Sequence, residues 1–267
     1  MPTFDTDGAV IYCETAGSGE PLVLIPGFAS GIWSWLWQKD LAKRLRTNTF
    51  DPRGIGRSHL RADANLADVT IKTFVEDVAS LLDALDIEVA NILGASFGGF
   101  VAQEFVLRFP ERVDKLILAC TTAGGKNHVS PDIEILRSFT RDPDKPLGEQ
   151  IRKFFRPAFT ERFNDKQPEI VEKICRMREE NDVAELTYLA QLHTAFSFDA
   201  DERLGEITHE TLVITGDHDN LVPMQNSVNL AEKIPNAVLK VIPDGSHMIF
   251  VENAAGFNEV VTEFICR

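Results

Sequence analysis

The chain contains no apolar run approaching the roughly 20 residues that a bilayer-spanning helix requires, so no membrane segment is expected. Its first residues, Met1-Pro2-Thr3-Phe4-Asp5, lack the basic and apolar regions of a secretory signal, which makes the cytoplasm the expected location. Cysteine is sparse. The four residues Cys13, Cys120, Cys175 and Cys266 show no CxxC spacing, which argues against a disulfide framework or a thiolate metal site. Cys120 closes the apolar run 116–119 and is expected as a small core residue, with a cysteine nucleophile as the less favoured reading. Positive charge is in deficit: 27 Lys and Arg face 41 Asp and Glu, a net charge of -14. That balance excludes a broad nucleic-acid or anionic-membrane surface, since both attract basic proteins. The Gly-rich stretch at 51–58, Asp51-Pro52-Arg53-Gly54-Ile55-Gly56-Arg57-Ser58, lacks the Gly-Lys-Ser/Thr and following helix of a phosphate cradle. A loop pinned by an Asp51–Arg53 pair is expected there instead. No motif calls for a metal or an organic cofactor, and none is expected.

What is present is an alternating pattern. Short apolar runs at 21–25, 89–93, 115–120, 211–215 and 237–242 are of strand character, with an earlier strand at 9–14 and an unusually polar one at 47–50. Between them lie helical patterns, one over 39–45 and one over 70–85. The latter carries a stripe of Phe74, Val75, Val78, Leu81, Leu82 and Leu85, with Thr70 as its N-cap. Such alternation predicts an α/β fold with a mostly parallel, doubly wound sheet. Trp33, Trp35 and Trp37 read as packing residues. The alternation stops between about 124 and 206, where a charged helical pattern holds Phe154, Phe155, Phe159, Phe163, Phe196 and Phe198. We expect a helical cap at 125–206 inserted into a core formed by 1–124 and 207–267, its aromatics lining a pocket or forming its own core.

The centre of the pattern is the stretch 89–100. A strand meets Gly94-Ala95-Ser96-Phe97-Gly98, and a helix follows at once. Gly-x-Ser-x-Gly alone is a weak signal, but between a strand and a helix it forms a turn sharp enough to present the serine at its apex. Backbone strain at Ser96 is expected, as is close approach at Gly94 and Gly98, where a Cβ would collide with neighbouring elements. The helix starting at Phe97 aims its amide N–H groups at whatever the serine attacks. Two later strands deliver ionisable groups to the same sheet edge: 211–215 runs into Gly216-Asp217-His218-Asp219, and 237–242 runs into Gly245-Ser246-His247. A carboxylate that orients a histidine, which in turn takes a serine proton, is the chemistry of nucleophilic acyl transfer.

These motifs, together with Pro26-Gly27-Phe28, Asp51-x-Arg53-Gly54-x-Gly56-x-Ser58 and Gly216-x-x-Asp219-x-x-Val222-Pro223, resemble the α/β-hydrolase superfamily. Within it, the sequence resembles the cap-bearing esterases, enol-lactonases, C–C bond hydrolases and cofactor-free haloperoxidases. The resemblance implies Ser96 as nucleophile, His247 as general base and acid, Asp219 as orienting carboxylate, and the backbone N–H groups of Phe28 and Phe97 as oxyanion hole. Asp217 is a rival for the acid, and Asp219 fits the Gly-x-x-Asp spacing better. His59, His128, His193, His209 and His218 match no motif. The sequence departs from the family where Pro26 replaces the usual histidine of the oxyanion loop, and where His209-Glu210 precedes a strand. The implied activity is hydrolysis of a small-molecule ester or lactone through an acyl-enzyme, without cofactor or metal. A C–C hydrolase, a perhydrolase or haloperoxidase, and a non-catalytic ligand-binding protein of the same fold are the alternatives.

Overall fold

Runs of leucine, isoleucine and valine flanked by glycine form the inner strands, because only a sheet covered on both faces keeps every side chain of such a run dry. In the computed structural model, which describes residues 2–62, 64–66 and 69–267, nine strands make one sheet. They are β1 (Thr3–Thr6), β2 (Ala9–Ala16), β3 (Pro21–Ile25), β4 (Arg46–Phe50), β5 (His59–Leu60), β6 (Ala90–Ala95), β7 (Val113–Ala119), β8 (Thr211–Gly216) and β9 (Ala237–Ile242). Their order is β1-β2-β4-β3-β6-β7-β8-β9, with β5 beside β2. Strands from β4 to β9 along this order pair in parallel, whereas β1, β2 and β5 pair antiparallel. Every residue of β6 and β8 is buried. β9 alternates between half-buried and exposed up to its buried last residue, Ile242, as an edge strand should.

The order reverses at β3. From there the chain runs outward to β4, then returns on the other side as β6, so the carboxyl ends of β3 and β6 flank a topological switch point, where open α/β sheets form their ligand crevice. Ile25 of β3 pairs with Gly94 of β6, and the loops after both strands therefore open at the same level.

The helix read at 70–85 is α1 (Ile71–Ala84). Thr70 and Thr73 cap it reciprocally, and its buried face is Phe74, Val75, Val78, Leu81 and Leu82. With α2 (Phe97–Arg108) it covers one sheet face. The segment read as helical over 39–45 is instead a 3₁₀ run, Ile32–Lys43, that includes all three tryptophans; with the C-terminal helices it covers the other face. Asp51 Oδ1 accepts from Ile32 N at 2.8 Å at the start of this run. The polar strand β4 is accommodated because its polar atoms are satisfied: Asn48 Nδ2 donates to the carbonyls of Arg46 and Leu22, and Thr15 Oγ1 donates to Asn48 Oδ1. The short antiparallel strands β1 and β5 are additions to the sequence reading.

Between β7 and β8 the described residues form five α-helices: α3 (Ile133–Ser138), α4 (Leu147–Phe155), α5 (Glu161–Lys166), α6 (Pro168–Glu180) and α7 (Glu185–Ser197). The two ends of this segment meet. Gly124 bridges Asp199 in an isolated antiparallel pair, and Ala200 N donates to Ala123 O at 2.8 Å. The helices are not a free-standing core, since Ile151, Phe155, Phe159 and Ile174 bury in the same cluster as Leu24, Leu93 and Ile214 of the sheet. After β8 come α8 (Gln225–Lys233), α9 (Ile249–Glu252) and α10 (Ala254–Ile265). No helix of the described residues is long and apolar enough to cross a membrane.

One expected contact is corrected. Arg53 does not pair with Asp51. Its guanidinium turns under α1 and makes a two-pronged bond to Asp77, Nε to Oδ2 at 2.8 Å and Nη2 to Oδ1 at 2.6 Å, with both side chains buried. Asp51 instead ties the loop to itself by accepting from Arg57 N and Nε as well as Ile32 N. Two loop anchors therefore stand where one was expected.

Candidate active site

Ser96 sits between β6 and α2 at φ 53 and ψ -118, outside the conformations that a residue with a Cβ ordinarily adopts. The neighbourhood forces it there. Ser96 N donates to Ala119 O at 2.9 Å, and Ser96 O accepts from Gly99 N and from Thr121 Oγ1, each at 2.8 Å. The flanking glycines are needed for close approach. A Cβ on Gly98 would lie 2.2 Å from Ile25 O, and one on Gly94 would lie 2.2 Å from Gly98 O. The strand, the turn and the helix can thus meet only if both positions lack a side chain.

The loop after β3 lies against this turn. An ideal Cβ on Gly27 would stand 3.5 Å from Ser96 Cβ. Phe28 follows, half-buried, and Ala29 has φ 51. Asp219, on the loop after β8, and His247, on the loop after β9, are 5% and 7% exposed. His247 Nδ1 lies 2.9 Å from Asp219 Oδ2 and 3.1 Å from Oδ1. The carboxylate is further held by Leu221 N and Val222 N, which donate to Oδ1 at 3.0 and 2.8 Å. Asp217, by contrast, is exposed, with its carboxylate 3.9 Å from the His218 ring. The loop directs one acid inward and the other to solvent.

Ser96, His247, Phe28, Trp33, Trp35 and Phe155 line one cavity. Of the three tryptophans read as packing residues, Trp33 and Trp35 thus also face the site, whereas Lys173 lies over the Trp37 ring. Of the helical-segment aromatics, Phe154 and Phe155 reach the cavity, Phe159 and Phe163 stack on each other at 5.3 Å, and Phe196 is exposed. A second cavity adjoins the first across Phe28, Phe154 and Phe155; Arg141, Gln150 and Arg178 bring polar groups to it. Arg178 is buried, and that burial pushes its pKa down although Asp182 opposes the shift. Neither arginine stood out in the sequence, where both sit in a stretch dense with charge.

The remaining histidines stand apart. His59 lies on β5, paired with Val10 of β2 near the end of the strand order, His128 Nδ1 meets Thr122 Oγ1, and His209 Nε2 meets Pro110 O. Cys120, at the end of β7, is fully buried, and its Sγ approaches Asp219 and His247 within 4.8 Å. These three are the group among the described residues whose atoms could meet around a metal. As a donor set they fit one poorly. Burial, reinforced by the charge of Asp219, pushes the Cys120 thiol well up, and Nδ1 of His247 is already engaged with Asp219.

A serine on a strained strand-to-helix turn, beside a histidine held by a buried carboxylate at the switch point of a parallel sheet, defines the α/β-hydrolase architecture. The sequence profile described as "Alpha/beta hydrolase family" matches residues 22–260, and the chain belongs to that family. It is 32% identical to a 2-hydroxymuconate semialdehyde hydrolase of Pseudomonas sp. (strain CF600), over 94% of this chain and 89% of the relative. Among solved structures it superposes on an esterase of Thermogutta terrifontis with a TM-score of 0.83, at 26% identity, covering 99% of this chain and 96% of the other. The enol-lactonase of Burkholderia xenovorans LB400 shares the fold across 100% of both chains, with a TM-score of 0.88 at 23% identity.

Proposed function

We propose that the protein is a serine hydrolase that cleaves a carboxylic ester or lactone of a small molecule through an acyl-enzyme on Ser96. The observation that carries this reading is the strained Ser96 in one cavity with His247, whose other ring nitrogen is bound to Asp219. In this mechanism Asp219 holds Nδ1 protonated, leaving Nε2 as the base that takes the Ser96 proton. Ser96 Oγ attacks the carbonyl, and the oxyanion rests between the N–H groups of Phe28 and Phe97, each donor worth about 3 kcal/mol of barrier. His247 then protonates the leaving alkoxide, and water releases the acyl group by the same steps in reverse. The helical segment 125–206 acts as a cap over a core of 1–124 and 207–267, contributing Phe154 and Phe155 to the cavity wall. The likeness to the Thermogutta esterase supports the ester reading.

A second reading, cleavage of a C–C bond by the same residues, is favoured by one observation. Arg141 and Arg178 line the adjoining cavity, both paired with Asp182, and their remaining N–H donors would suit a carboxylate-bearing substrate; relatives at 24–32% identity are hydrolases of dienoates and related semialdehydes.

A fluorophosphonate probe, followed by intact-mass analysis of wild type and Ser96→Ala, tests the nucleophile. One adduct on wild type only is expected, with ester turnover lost in Ser96→Ala and the melting midpoint nearly unchanged. Labelling of Ser96→Ala would reject Ser96. Parallel panels of p-nitrophenyl esters, lactones and vinylogous 1,5-diketones separate the two readings: turnover confined to the diketones would replace the ester assignment.

A further inference from the structure

The loop that carries Phe28 is held by a residue 162 positions away. Gln191 lies on α7 and is 1% exposed; its Oε1 accepts a hydrogen bond from Ala29 N at 2.8 Å. The same peptide group is held on its other side, where Ser30 Oγ donates to Phe28 O at 3.2 Å. Ala29 itself is in the left-handed region, at φ 51, a conformation that a residue with a Cβ leaves unless its surroundings hold it. The neighbours of Gln191 on α7 press on the same place. The ring of Tyr188 meets that of Phe28 edge-on at 4.8 Å, and Thr187 packs so closely on Gly54 that a Cβ there would stand 2.8 Å from Oγ1. Val183, Tyr188, Ala29 and Ile55 bury together as a small cluster of their own.

Gln191 is only half satisfied. Among the described residues its buried Nε2 has no hydrogen-bond partner, and the bond the amide makes is the one to Ala29 N. The amide orientation is set by the backbone donor it must meet, because the opposite rotamer would set N–H against N–H.

We infer that Gln191 is a positioning residue for the oxyanion loop: by fixing the Phe28–Ala29 peptide it keeps the preceding amide, Phe28 N–H, aimed at the oxygen that becomes negative when Ser96 attacks. This inference rests on the serine-hydrolase reading above. It makes α7 a working part of catalysis, although no side chain of that helix touches the reacting atoms. The contact between Ala29 and Gln191 acts on the transition state, since a carbonyl oxygen binds a displaced donor almost as well as an aimed one and an oxyanion does not.

The test compares Gln191→Met, which keeps the volume and removes the acceptor, with Gln191→Glu, which keeps an oxygen facing Ala29. Wild-type labelling by fluorophosphonate is established first, and its failure would overturn both the serine reading and this one. With labelling secured, Gln191→Met is expected to lower kcat about tenfold or more with KM within about twofold. The inhibition constant of a trifluoromethyl ketone, which forms a tetrahedral adduct on the serine, should weaken by the same factor as kcat/KM. Gln191→Glu should restore most of both. Wild-type kcat and inhibitor affinity in Gln191→Met would overturn the inference while leaving Ser96 in place. A parallel loss in kcat, KM and melting midpoint that Gln191→Glu fails to restore would also overturn it, by showing a role in folding alone.

Discussion

Arg53 and Asp77 show how far a single residue's role can lie from its sequence neighbours. The guanidinium of Arg53 lies in a buried loop and finds its carboxylate on α1, 24 positions on. Burial pushes the Asp77 pKa up, and Arg53 acts against that rise. Removing one partner would leave the other charge dry and unpaired. Asp77→Ala is therefore expected to cost about 3–5 kcal/mol in urea-unfolding free energy. The double variant Arg53→Met/Asp77→Leu should recover much of that loss, and equal losses in the single and double variants would contradict this account. The same distance explains what the sequence could and could not reveal. Ser96, Asp219 and His247 each sit within a few residues of the glycines that shape their turns, so local spacing marks them. The partner of Arg53, the placement of Arg178 and the bond from Ala29 to Gln191 depend on which helix covers which loop, and no local pattern records that.

At the scale of elements, the turn between β6 and α2 is legible because steric demand leaves a compositional trace. Only glycine fits at 94 and 98. The 3₁₀ run Ile32–Lys43 was less so, since the three tryptophans obscure its periodicity and Asp51 anchors its start from another loop. Gly98→Ala should push α2 away from the end of β3, lowering stability by about 1–3 kcal/mol and displacing Ser96, with hydrolytic turnover reduced more than the fraction unfolded explains. Gly205→Ala is the matched control, because among the described residues nothing beyond its own chain neighbours lies within 4 Å of a Cβ there. Its unfolding free energy and turnover should stay at wild-type values, and a loss equal to that of Gly98→Ala would show that crowding is not the cause.

Across the whole molecule, Asp201 joins three parts of the chain. It lies beyond α7, accepts from Asn127 Nδ2 at the start of the helical segment, and pairs with Lys233 at the end of α8. Burial acts to raise its pKa, but the bonds from Lys233 and Asn127 outweigh it and hold the carboxyl below its usual range. A carboxyl depressed in the folded state contributes stability that is complete above its unfolded pKa of about 3.9 and is lost as pH falls through the folded value. Unfolding free energy should thus decline on acidification below about pH 5, and Asp201→Asn should flatten part of that decline while lowering the plateau. An unchanged slope in Asp201→Asn, measured by urea titration at successive pH values, would assign the acid limb to other carboxylates.

The meeting of Gly124 with Asp199 has a further consequence. Because the chain leaves the sheet and returns to it through one bonded doorway, the loop-closure entropy of everything between is largely settled at that doorway and grows only slowly with the length enclosed. A change in the length of the chain between the two posts, made outside α7, should therefore leave the strands that lead to Ser96, Asp219 and His247 in register. The doorway makes the length of the enclosed chain a variable largely separable from the strands beneath it, except at α7, where Gln191 ties that chain to the oxyanion loop.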